Sequence, residues 1–105
     1  MVKISYSPEA LKDLKNIKEN VINEFGDIVA KKVITEITTN IRRLEVFPLS
    51  GVNLSKNIDV TTDYYYIFTL KNYVFYRIEQ DFIYVVRILN EKQEYMQQLF
   101  GTPME

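Results

Sequence analysis

Asn72 to Phe100 reads NYVFYRIEQDFIYVVRILNEKQEYMQQLF. Two runs rich in β-branched and aromatic residues, Tyr73–Glu79 and Phe82–Leu89, flank Gln80-Asp81, which suits a two-residue hairpin turn although it lacks glycine. Upstream, Tyr64–Leu70 is a run of the same kind, joined through Lys71-Asn72. The three runs predict an antiparallel meander. Downstream, Glu91–Phe100 reads as a short helix or irregular tail, and Gly101-Thr102-Pro103 ends the order.

Between Leu49 and Asp63 polar and turn-forming residues dominate, with Ser50-Gly51 as the clearest punctuation and a short strand expected near Ile58–Thr61. The chain before that segment has helical periodicity. Ser7-Pro8-Glu9 supplies an N-cap, a proline at the first helical position and an acid in the first turn. Leu11, Leu14, Ile17, Val21, Ile22 and Phe25 then form one apolar stripe, and Gly26 fits the position after the last turn. Asp27 can cap a second helix, in which Ala30, Val33, Ile34, Ile37, Ile41 and Leu44 keep the same period until Phe47-Pro48 stops it. A tight turn between two amphipathic helices predicts an antiparallel hairpin with the stripes as core. Val2–Tyr6 is a strand candidate ahead of it. The fold class is therefore α+β: an N-terminal strand, a helical hairpin, a meander completing a roughly four-stranded sheet, and a short C-terminal helix.

Strand alternation assigns side chains to sheet faces. One face gathers Ile67, Thr69, Val74, Tyr76, Ile78, Ile83, Val85 and Leu89, a bed for the helical hairpin. The other gathers Tyr64, Tyr66, Phe68, Tyr73, Phe75, Arg77, Phe82 and Tyr84, too many rings to leave facing water. The C-terminal segment can fold back over part of it through Tyr95, Leu99 and Phe100. A helix of about ten residues spans only roughly 15 Å, so it cannot shield three strands. What remains around Tyr64, Tyr66, Tyr73, Phe75, Arg77 and Tyr84 suits a partner's helix or extended peptide. The same parity sets Arg77 and Arg87 on opposite faces.

The chain has 105 residues, enough for one domain over 1–105 with a single core. It has no cysteine and no histidine, which removes disulfides, thiolate zinc sites and the commonest general base at neutral pH. The acids are scattered, so neither a metal nor another cofactor is expected. The formal charge of −1 offers no overall field to concentrate nucleic acid. No apolar run reaches the roughly 18 residues needed to cross a bilayer, and the start MVKISYSPEA lacks the layout of a signal peptide, so a cytoplasmic location without membrane association is expected.

The C-terminal run, with Tyr76, Arg77, Ile78, Arg87, Ile88, Leu89, Tyr95, Leu99 and Phe100 in that order, resembles RelE/ParE-type toxins of type II toxin-antitoxin modules. The resemblance implies a largely antiparallel sheet on an N-terminal helical hairpin, with a cognate antitoxin whose C-terminal segment wraps the sheet and neighbouring helices. Two activities occur in such proteins. RelE-like members cut messenger RNA on the translating ribosome by phosphoryl transfer, with Arg and Lys offsetting phosphate charge. Arg87, Lys92 and Tyr95 are the candidates for that role here. Tyr73 and Gln93 stand near places where that branch often has basic residues, and Asn90 stands near a histidine used by some members. ParE-like members bind DNA gyrase and poison it, which needs a contact surface rather than a proton shuttle, and the FYRIE and RIL runs look closer to that branch. A non-toxic relic that only binds antitoxin is the third reading.

Overall fold

The computed structural model describes residues 2–58 and 61–101. Its first helix, α1 (Pro8–Phe25), starts where the sequence places it: Ser7 Oγ accepts the Ala10 N–H at 2.9 Å and Pro8 occupies the first turn. The same hydroxyl donates to the Val86 carbonyl at 2.6 Å, so the cap also fastens the helix to the sheet. Gly26 alone separates α1 from α2 (Asp27–Arg42), with φ at 90° and its N–H on the Ile22 carbonyl. A residue with a Cβ is strained there, which is why glycine makes so short a link. Ala10, Leu14 and Ile17 of α1 share a core with Val33, Ile37 and Ile41 of α2, early turns against late ones as an antiparallel hairpin requires. A 3₁₀ turn over Arg43–Glu45 then buries Leu44.

Five strands form one mixed sheet in the order β1-β5-β4-β3-β2, with β1 (Lys3–Tyr6) parallel to β5 (Phe82–Asn90) and the other pairings antiparallel. The sequence reading had roughly four strands. The addition is β2 (Val52–Asn53), a two-residue edge strand on β3 (Tyr64–Thr69), at a place read as loop because so short a segment has no period. The strand expected near Ile58–Thr61 falls partly on 59 and 60, outside the described residues, as do Thr102 and Pro103 of the expected terminus.

The β3–β4 turn is Leu70-Lys71, one residue earlier than expected, and both have positive φ, at 48° and 66°, as a type I′ hairpin needs. Shifting that turn slides the register by two, so each side chain keeps its face. The β4–β5 hairpin turns at Gln80-Asp81 as read, and β4 (Asn72–Ile78) pairs regularly with β5 from Ile78↔Ile83 to Tyr76↔Val85. The next pair is Phe75↔Arg87. Val86 is a bulge, and everything beyond it changes face. Ile88 joins Ala10, Ile37, Ile41, Val74 and Val85 under the hairpin, while Leu89, expected there, packs with Leu54 and Phe75 on the opposite side. Arg87 likewise shares the backbone parity of Arg77, correcting the opposite-face assignment. Among the described residues no helix is long and apolar enough to cross a membrane.

Candidate functional site

Three cross-strand rows build the ring-rich face: Tyr64–Arg77–Tyr84, Tyr66–Phe75–Arg87 and Phe68–Tyr73–Leu89. Opposed positions put side chains within packing reach, and these rings use it: Phe68 and Tyr73 meet edge-on at 4.9 Å, Tyr66 and Tyr73 at 5.4 Å. The Arg77 guanidinium lies 5.4 Å from the centre of the Tyr84 ring and 3.4 Å from Glu79, with its side chain 40% exposed. It is a cation presented among tyrosines.

The chain covers the middle of this face itself. α3 (Tyr95–Phe100) crosses it, with Tyr95 5.3 Å from Phe75 and 5.7 Å from Tyr73, and Phe100 stacked on Tyr64 at 5.6 Å. Leu54, from a 3₁₀ turn over Leu54–Lys56, and Ile58 cover the face from the other flank, and Asn57 Nδ2 donates to the Tyr66 hydroxyl. Phe75 is in consequence fully buried and offers no surface to a partner in this conformation, contrary to the expectation for it. Tyr64, Tyr66, Tyr73, Arg77 and Tyr84 stay half-buried, and Phe68 is half exposed. The remaining surface is a broken rim around a self-covered centre.

Arg87, Lys92 and Tyr95 are not linked by any hydrogen bond or ion pair among the described residues. Arg87 binds Asp13 through both arms, Nε to Oδ2 at 2.8 Å and Nη2 to Oδ1 at 2.9 Å, and Nη1 reaches Gln98 of α3 at 3.3 Å. The hydrogen bond to Asp13 pushes the arginine further above its ordinary value, against the opposing effect of burial. Tyr95 keeps its proton more tightly than a free phenol, because burial beside Phe75 and Tyr73 disfavours the phenolate. Lys92 is exposed in the turn after β5, where its backbone N–H is held by Asn90 Oδ1. A committed guanidinium, a protonated phenol and a solvent lysine do not form a phosphate clamp. Among the described residues no three acidic side chains gather in a way that suits a metal ion.

Asp13 is the residue the sequence reading passed over. It lies 92% buried although charged, and it also accepts the Ile88 N–H at 2.9 Å. β1 stops pairing at Val85, so the rest of β5 has an open edge, which Ser7 and Asp13 close with side chains. Its signal was an acid three residues after Ala10 and four before Ile17, inside the apolar stripe.

The family model for the ParE toxin of type II toxin-antitoxin systems matches residues 4–95. Among solved structures, one of a chromosomal ParDE toxin-antitoxin system from P. aeruginosa is similar, with a TM-score of 0.73 and 17% identity over 86% of this chain and 96% of that one. No curated protein matches in sequence.

Proposed function

Since the chain belongs to the ParE toxin family of type II toxin-antitoxin systems, we propose that it arrests bacterial growth by binding and inhibiting DNA gyrase. A cognate antitoxin neutralises it by covering the tyrosine-rich rim. The observation that carries this reading against RNA cleavage is the bidentate Asp13–Arg87 pair, which removes the best-placed arginine from service on a phosphate. Arg77 and its flanking tyrosines are instead arranged for protein contact, since tyrosine and arginine dominate the energetics of such surfaces. The location that follows is the cytoplasm, where gyrase and DNA are.

Controlled expression in bacteria is expected to stop growth, and the co-expressed antitoxin to restore it. Purified protein should abolish supercoiling by gyrase while messenger cleavage on ribosomes stays at background. Cleavage with intact supercoiling overturns the gyrase reading, and full-rate growth with soluble protein present overturns toxicity. Arg77→Ala and Tyr84→Ala are each expected to weaken antitoxin binding by about tenfold or more, measured by titration calorimetry.

A further inference from the structure

At the end of the sheet bearing the β3–β4 turn, α1 and the strands leave an open groove of about 970 Å³. Its apolar part is made by Ile17, Val21, Val33 and Ile88, with the half-exposed Phe25 and Leu70 at its lips. One wall is a row of primary amides, Asn16, Asn20 and Asn23, at helical spacing on α1. Asn72 and Asn90, paired across β4 and β5, line the groove from the sheet. The row covers roughly 10 Å of helix, the reach of about three extended residues. Such amides offer both a donor and an acceptor, matching a peptide main chain.

Asn72 shows that this groove lacks something. The residue is 96% buried, its Nδ2 donates to the Leu70 carbonyl at 2.8 Å, and its Oδ1 has no hydrogen-bond partner among the described residues. A buried acceptor calls for a donor. The charges at the rim say which kind: Glu19 and Glu24 face only Lys71, because the charge of Asp13 is already matched by Arg87.

We propose that the groove receives a segment of the antitoxin in which a Lys or Arg donates to Asn72 Oδ1 while neighbouring aliphatic side chains rest on Ile17, Val21 and Ile88. This rests on the toxin-antitoxin reading and adds a second contact region to the ring-rich rim. The two regions are continuous. Asn72 faces the groove and Tyr73, the next residue, faces the rim, so one polypeptide rounding the Lys71–Tyr73 corner touches both.

The test is a coupling measurement with the antitoxin purified from its co-expressed complex, each of its basic residues replaced in turn by Gln. One such replacement is expected to weaken binding to the unaltered toxin about tenfold and to change almost nothing against Asn72→Leu. Because Asn72 is buried, Asn20→Lys and Glu24→Lys provide exposed counterparts, and each is expected to weaken binding about tenfold by repelling the basic residue. Identical losses on unaltered and Asn72→Leu toxin, together with unchanged affinity of both lysine variants, overturn the assignment while the rim variants Arg77→Ala and Tyr84→Ala still show antitoxin binding. Sedimentation showing that the toxin alone dimerises through the groove overturns it in favour of a second copy. Absence of any antitoxin binding overturns this and the parent reading together.

Discussion

One carboxylate, that of Asp13, holds three donors, and the arginine it holds is 19% exposed in its side chain. Asp13→Ala strands a largely buried guanidinium and the Ile88 N–H, so stability is expected to fall by about 3 kcal/mol, read from the midpoint of urea unfolding. An unmoved midpoint would show the pair to be structurally idle. Arg87 is raised above its ordinary value, so the stability it contributes is present below that value and lost only at still higher pH, leaving the neutral range flat. Tyr76 provides the alkaline signal. Its ring is fully buried, its hydroxyl donates to the Pro48 carbonyl at 2.9 Å and accepts the Gly51 N–H at 3.1 Å, and burial pushes its pKa from 10.0 up to about 12. Between those values the folded state binds more protons than the unfolded one, so stability is whole below pH 10 and falls by roughly 2–3 kcal/mol as pH rises through about 12. Tyr76→Phe should flatten most of that fall and lose about 1–2 kcal/mol at neutral pH. A shallower decline remains, since burial also raises Tyr6 and Tyr95. Gly51→Ala tests the same contact from the other side: a methyl there runs into the Tyr76 hydroxyl and comes within 2.7 Å of the Tyr66 carbonyl, so a lower melting temperature is expected.

α3 is only six residues long, and such a helix persists through what it covers rather than through its own hydrogen bonds. Deleting the chain from Tyr95 onward uncovers Phe75 and Leu89 and removes Gln98 from Arg87. The shortened protein is expected to lose about 3–5 kcal/mol and to bind a hydrophobic dye that the intact chain ignores. Equal dye binding by both would mean the helix covers nothing that matters. The helical hairpin was legible beforehand because Ser7-Pro8 and Gly26 punctuate it chemically, each residue suited to its position by hydroxyl, ring or missing Cβ. The bulge at Val86 was not. Val85 and Val86 are chemically the same, and what separates them is the pull of Ser7 and Asp13 on the β5 edge, which comes from residues more than seventy positions away in the chain.

The formal charge of −1 makes a further expectation at the level of the molecule. Inhibition of supercoiling through protein contact should vary only a few-fold between low and moderate salt, because near-neutral surfaces release few counterions. A protein gripping six or more phosphates loses about a thousandfold or more over the same range. A steep salt dependence of inhibition would therefore point to nucleic acid as the surface being bound.

Local chemistry along the chain was enough for the α+β class, the hairpin, the meander and the family likeness, because caps, turns and alternation act between near neighbours. Five of the rim residues, Tyr64, Tyr66, Tyr73, Arg77 and Tyr84, lie half-buried on the face that alternation assigned them, as candidates for contact. The extra edge strand, the face of Arg87 and Leu89, the burial of Phe75 and the open acceptor of Asn72 came from the assembled molecule. Each depends on how distant segments close over one another: one bulged residue turns a strand over, and one short helix decides which rings meet water.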